Sequence, residues 1–469
     1  MIEKQKFGYM DFIKKVAVIA IPVALQNLLT TTSSMIDTIM ISSAAENAIG
    51  AVGLCAQFSG LMFSCYWGFV GGGMLFISQY WGSKDEKGIN RSYGITLSFM
   101  MTVALIFGSI AHFFPEFVMK IYTDKPQFWE IGKPYLKIVG FAYPLQVLSM
   151  GMSCLLRATE RVVIPLVASI GSVITNIFLN WILIYGNLGA PKMGVRGAAI
   201  ATTVAALVNV IIIVVMAMLS KYPYLFKIKE HFNWNREFLG VYIKKCFPII
   251  CNELFVGVGN CLINIVLGHQ SAEAIDAIAV FRTIEGLIIG FFAGFSNAAS
   301  ILVGKSVGAG ELDIAYERAK RLVYMCQGVI AMIVATLLIF IKPFLHLMNL
   351  NGDSFIIGRG LIIIYGIFCI IRMGNWTMND TYRSAGDAVT GTTLEIVFLY
   401  IMVLPAIFIA WKKFNAPIFV VFALCYVDEP IRYFLMQRHM YSAKWIRPVT
   451  QIGKDKLKEF ISNKKTLKE

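Results

Sequence analysis

At a constant shift of 226 positions (248 − 22 = 226), the first half of this chain falls on the second. Pro22 meets Pro248, Leu28 meets Leu254, Ile39 meets Ile265 and Ile49 meets Ile275. Gly68, Phe69 and Gly82 meet Gly294, Phe295 and Gly308, and far downstream Arg157 meets Arg383. Each half holds six apolar stretches, near 16–42, 48–80, 93–114, 135–156, 162–186 and 195–219, then 243–268, 274–304, 320–341, 358–380, 389–411 and 417–440. A unit repeated at this length cannot be a short solenoid repeat; it is a whole bundle, duplicated.

Composition fixes the solvent of that bundle. Of 469 residues, 57% are hydrophobic and 15% charged, where a soluble domain carries about a quarter charged. The longest loop, 221–241, is too short for a soluble domain. The reading is an all-α integral membrane protein with twelve spans. It divides into an N-terminal lobe (1–219), a cytoplasmic linker (220–241), a C-terminal lobe (242–440) and a basic tail (441–469). Six spans per lobe give both lobes one orientation, so they are expected to be related by a pseudo-two-fold axis along the membrane normal, around a central cleft. A monomer in the cell membrane is expected, with lipid as its surroundings.

The net charge is +14, which raises the question of nucleic acid. With the N-terminus inside, cytoplasmic segments hold about 30 Lys and Arg and external loops about 10, so membrane orientation accounts for the excess. Both termini are therefore expected to be cytoplasmic, and no nucleic-acid partner is expected. Lys4, Lys6, Lys14 and Lys15 precede a first span that is long, carries Asp37 and lacks a small-residue cleavage site, so it reads as an uncleaved helix. The linker is basic and aromatic, as suits the headgroup layer. The Lys-rich tail is expected to be partly disordered and close to anionic lipid. Nine scattered cysteines without a CxxC pair, and five histidines without helical spacing, argue against disulfides and zinc.

The first span holds Gln26, Asn27, several Ser and Thr, and Asp37. Such polarity is tolerated in hydrocarbon where it faces protein or water. Asp37 is the only ionisable residue well inside the first lobe's spans, about 8 Å from the outer end of its helix. A carboxylate at that depth must be balanced by a proton or a cation, which makes Asp37 a candidate coupling site and a candidate Na⁺ ligand. Pro22 and Pro248 each remove a helical hydrogen bond and mark candidate kinks. The second lobe carries Glu253, Arg282, Glu285, Arg372, Asp380, Glu395, Asp428 and Glu429. Glu253 and Arg372 both fall near mid-membrane and are expected to pair, as a coupling site or as a structural staple. ASILVGKS (299–306) fits a loose phosphate-loop pattern, but it ends an apolar helix rather than following a strand, so ATP chemistry is excluded. No catalytic triad or paired-carboxylate motif stands out, and no enzyme activity or cofactor is expected.

MIDTIMIS followed by AIGAVGL, then GAPKMGVRGAAIAT, CFPIICNELF, RSAGD and KWIRPVT, resemble in order and spacing the multidrug and toxic compound extrusion family, in its bacterial and especially Gram-positive branches. The resemblance covers essentially the whole chain. It implies two six-helix bundles facing each other across a V-shaped cleft, and export of small organic, often cationic compounds in exchange for Na⁺ or H⁺. It also implies a first-lobe cation or proton site at Asp37, Asn176, Asn180 and Thr202. Asn180 stands where many members have Asp, which weakens the expectation of Na⁺. Arg372 stands at the helix 10 position where some members have an acid, which weakens the expectation of a second Na⁺ site. A lipid-linked glycan flippase of related fold is the alternative; it is expected to have a more cationic cleft.

Overall fold

The structure is a computed structural model that describes residues 9–42, 47–348 and 350–466; Lys4 and Lys6 lie outside them. Among the described residues the regular structure is helical. The first half contains α1 (Tyr9–Ser42), α2 (Ala48–Ser83), α3 (Glu86–Phe113), α4 (Pro115–Tyr122), α5 (Pro126–Ala158), α6 (Val163–Tyr185) and α7 (Val195–Leu219). The linker forms α8 (Ile228–His231). The second half contains α9 (Arg236–Gly268), α10 (Ala272–Gly308), α11 (Leu312–Ile339), α12 (Ile341–Leu347) and α13 (Gly352–Ser384). It continues with α14 (Thr390–Phe398), a π-turn over Leu399–Val403, α15 (Leu404–Lys412), α16 (Ile418–Leu424), α17 (Glu429–Ser442) and α18 (Gln451–Thr466).

Local chemistry places the helix ends. Asp85 caps α3 by accepting from the Gly88 N–H at 3.0 Å, and Ser271 caps α10 by accepting from Ala274. Pro126 opens α5, where its missing N–H does no harm. Gly186, with φ +79°, ends α6 in the left-handed conformation.

Among the described residues, eleven helices are long and apolar enough to cross a membrane. The twelfth expected span, 417–440, is present but broken. Its chain turns at residues 425–428, between α16 and α17, and Pro430 sits in the first turn of the second piece. A proline there suits a helix start, where its missing N–H costs nothing. The tail also differs from expectation. Trp445 is fully buried, Thr450 donates to Gly308 O at 2.9 Å, and α18 continues to Thr466.

The chain forms two compact units. The N-terminal unit is Ile21–Ile77 with Asp85–Ile243; the C-terminal unit is the chain up to Ala20, Ser78–Lys84 and Lys244–Glu469. The linker thus belongs to the N-terminal unit, where Lys227 pairs with Glu86 at 2.8 Å and Asn90 donates to Glu230 at 2.6 Å. Pro22 and Pro248 both lie inside unbroken helices, close to the unit boundaries in α1 and α9.

Within the C-terminal unit, the ends of α2 and α10 touch backbone to backbone. A Cβ on Gly82 would lie 1.9 Å from Lys305 O, and one on Gly308 would lie 1.9 Å from Gln79 O. The 226-residue shift turns each of these contacts into the other. Glycine is required at both positions because nothing larger fits.

Candidate functional site

In the N-terminal unit three helices turn a polar stripe toward one cavity of about 570 Å³. From α1 come Thr30, Ser33, Ser34 and Asp37; from α6, Ser169, Ser172 and Asn176; from α7, Thr202 and Asn209. Spacings of three, four and seven residues put each set on a single helix face. Asn180 Nδ2 donates to Asp37 Oδ1 at 2.5 Å and lies 3.3 Å from Asn176 Oδ1. Asn180 is fully buried, and its Oδ1 has no hydrogen-bond partner among the described residues. The structure thus brings Asp37, Asn176 and Asn180 together and sets Thr202 in the wall of the same cavity. Among the side chains lining it, none is basic. Gln146, Tyr135 and Asn209, which also line it, were not singled out from the sequence. Asn209 was legible there, seven residues from Thr202 on one helix face.

The C-terminal unit holds a second cavity, of about 520 Å³, lined by six carboxylates and four guanidiniums. The stripe on α13 runs Arg372, Trp376, Asn379, Asp380, Arg383, and α9 adds Asn252, Glu253, Asn260 and Asn264. The expected pair of Glu253 with Arg372 does not form. Arg372 Nη1 instead lies 2.8 Å from Glu285 Oε1, and its Nε 3.7 Å from Glu429 Oε1. Glu253 Oε1 lies 3.0 Å from Arg383 Nη1. The reason is axial: Arg372 and Arg383 are eleven residues apart on α13, about 16 Å, and Glu253 on α9 reaches the level of the second.

The rest of the network is dense. Arg282 bonds Glu285 and donates to Asn264 Oδ1 at 2.8 Å. Arg432 Nη2 lies 2.7 Å from Glu429 Oε2 and its Nη1 3.5 Å from Asp428 Oδ2. The Arg372 guanidinium stacks 4.7 Å from the Trp376 ring centre. Four pairs of the network were legible as helical neighbours: Arg282–Glu285, Asp380–Arg383, Asp428–Arg432 and Glu429–Arg432. The pair joining α10 to α13 had no such signal.

The RSAGD and KWIRPVT segments meet beyond the end of α13. Arg447 N donates to Ala385 O at 2.9 Å, and Gly386, at φ +99°, lies so close to Arg447 O that a Cβ would stand 2.0 Å from it. Asp387 is buried, 2.8 Å from His439 Nε2 and 3.2 Å from Arg447 Nη1. Burial pushes its carboxyl up, but hydrogen bonds from His439 and Thr390 and the charge of Arg447 outweigh this and hold it below its ordinary value.

Comparison with known proteins identifies the fold and the family. The MatE family model matches residues 22–182 and again 248–409, so its two copies begin at Pro22 and Pro248. An uncharacterized transporter of Bacillus subtilis, YisQ, is 24% identical over 411 residues, covering 88% of this chain and 90% of that protein. A probable multidrug resistance protein of the same organism, YoeA, is 22% identical and covers 84% and 86%. Among solved structures, the Vibrio cholerae MATE transporter VcmN superposes with a TM-score of 0.82 at 15% identity, over 92% of this chain and 97% of that one. Both halves of the repeat match one family across most of the apolar sequence: the chain belongs to the MatE family of multidrug efflux transporters.

Proposed function

We propose that this protein is a secondary antiporter of the cell membrane that exports small organic, often cationic compounds in exchange for H⁺ or Na⁺ by alternating access. The observation that carries this reading is the Asp37 carboxyl in a cavity whose lining offers no basic side chain. A carboxylate so placed needs a proton or a metal cation, and releases it when a competing cation or a change of access removes the need. The donor set fits Na⁺: one carboxylate, the Asn176 and Asn180 amide oxygens and the Thr202 hydroxyl are all hard oxygens. Asn180 turns its Nδ2 to Asp37 and Asn176, so its buried, unpartnered Oδ1 joins the set when the amide turns over. A proton on Asp37 needs no further ligand. Neither role is catalytic, and no cofactor is invoked.

The basic residues orient the protein with both termini and the linker in the cytoplasm. External thiol labelling of an introduced cysteine should then reach residue 125 and miss residue 229. A lipid-linked glycan flippase needs a cationic cavity for its phosphates, and the six carboxylates against four guanidiniums of the C-terminal cavity disfavour it. The deciding experiment is drug-driven ion flux in proteoliposomes, with Na⁺ and pH gradients imposed separately. Export that ignores both gradients would overturn antiport.

A further inference from the structure

Arg157 in the N-terminal unit and Arg383 in the C-terminal unit hold the same place in the repeat, yet among the described residues only Arg383 has anions around it. Arg383 Nη1 lies 3.0 Å from Glu253 Oε1 and 3.9 Å from Asp380 Oδ1, and Glu395 is near enough to act on it. The shift of 226 positions carries these three acids onto Asn27, Cys154 and Ser169, all uncharged. The neutral part of the setting is the same in both halves. Nη2 of each arginine donates to the amide oxygen of a matching residue, Gln26 in one half and Asn252 in the other.

The three replacements have partners of their own and bring no negative charge. Asn27 Nδ2 donates to Val23 O at 2.8 Å, Cys154 Sγ to Val70 O at 3.7 Å, and Ser169 Oγ accepts from Gln26 Nε2 at 2.8 Å. Arg157 is 5% exposed. Its Nε is buried with no partner, and among the described residues its one hydrogen bond is that to Gln26. A guanidinium stays protonated in proteins, so this charge cannot be shed. Asp37 is no partner for it, being eleven residues from Gln26 along α1, about 16 Å. The carbonyls ending α5 supply a partial negative charge. Arg383, however, sits in the last turn of α13 as Arg157 does in that of α5, and it has carboxylates besides. A buried charge left without a counter-charge is strongly disfavoured.

We propose that Arg157 binds a small monovalent inorganic anion, of which chloride is the common example, at the place that the Glu253 carboxylate fills in the other half. One half of the repeat carries its counter-charge in the chain; the other takes it from solution. A single guanidinium balances a single negative charge, so a halide suits the site and a divalent anion does not. Ser169, bonded to Gln26, lines the N-terminal cavity, which gives water and ions a path to this level of the unit. The site is distinct from the Asp37 carboxyl, and its binding of an anion does not depend on the antiport reading.

The test uses the purified full chain in detergent at pH 7, with Na⁺ and ionic strength fixed and chloride exchanged for gluconate. Radiolabelled chloride should bind saturably and be displaced by bromide but not by gluconate. The unfolding midpoint should rise with chloride over the same concentration range, as it does for any ligand of the folded state. Arg157→Gln should weaken chloride binding at least about tenfold, and Arg157→Lys should keep part of it. Asn27→Glu is the second variant, since it supplies the carboxylate of the other half without touching the arginine. In gluconate its midpoint should stand above that of the parent, and it should no longer respond to chloride. Asn27→Gln, of the same size and uncharged, should respond as the parent does. A folded parent chain without saturable chloride binding overturns the proposal. So does a chloride response that survives in both Arg157→Gln and Asn27→Glu, and so does sulfate binding more tightly than chloride.

Discussion

Arg383 Nη1 lies 3.0 Å from Glu253 Oε1, joining α13 to α9, and this pair has no acidic equivalent in the other half of the repeat. Arg157, the residue 226 positions before Arg383, is buried and donates to Gln26 Oε1 at 2.9 Å. Gln26 is the counterpart of Asn252, which Arg383 also bonds. The two halves share the amide contact and not the carboxylate: Asn27 stands where the second half has Glu253. Among the described residues no carboxylate pairs with Arg157, and its Nε has no partner.

A carboxylate returned to that place should stabilise the N-terminal unit. Asn27→Glu is expected to raise the midpoint of thermal unfolding in detergent, whereas Glu253→Gln should lower stability by about 1–3 kcal/mol. The second figure lies below that of a fully buried pair because a third of the Glu253 side chain reaches solvent. A drop in midpoint for Asn27→Glu would show that Arg157 is sufficiently balanced by Gln26 alone.

Asp37→Asn should abolish gradient-driven export while leaving the unfolding midpoint close to that of the parent, since Asn180 can bond an amide oxygen as it bonds the carboxylate. Well-folded Asp37→Asn protein with normal transport would end the coupling role. Asn180→Asp adds an anionic oxygen and should tighten Na⁺ binding. Unchanged Na⁺ dependence in that variant points to protons.

Double-mutant cycles should separate the real pair from the expected one. Glu285→Gln leaves Arg372 with Glu429 alone and Arg372→Gln leaves Glu285 with Arg282 alone, so each is expected to cost less than the about 3–5 kcal/mol of a wholly unpaired buried charge, with part recovered in the double variant. Glu253→Gln combined with Arg372→Gln should be additive, because the two side chains sit at different levels of the bundle. Coupling between Glu253 and Arg372, without coupling between Glu285 and Arg372, would contradict the network described above.

Asp387 gives a pH signature outside the apolar spans. Its folded-state pKa is depressed, so its contribution to stability is complete above the unfolded value of about 3.9 and is lost as pH falls through the folded value. Unfolding midpoints recorded from pH 7 to pH 3 should fall at the acid end. Asp387→Asn should be less stable at pH 7, with His439 and Arg447 left facing an amide, and should lose less on acidification. Parallel curves for the two proteins would show that other carboxylates govern the acid limb.

Much of this was written along the chain. The 226-residue shift, the apolar stretches and the lone deep acid of the first half are one-dimensional facts. So is the placement of Asn176 and Asn180 on one face, because four residues make about one helical turn. The same periodicity gave Glu429 with Arg432 and Asp380 with Arg383. The break in the twelfth span had a signal too, in Asp428, Glu429 and Pro430. The partner of Arg372 had none. Helical periodicity says which face a side chain occupies, but not the height at which two helices meet. One turn of slippage, about 5.4 Å, exchanges one partner for another. The tertiary contacts of the helices set that height. They gave Arg372 to Glu285 and Arg383 to Glu253.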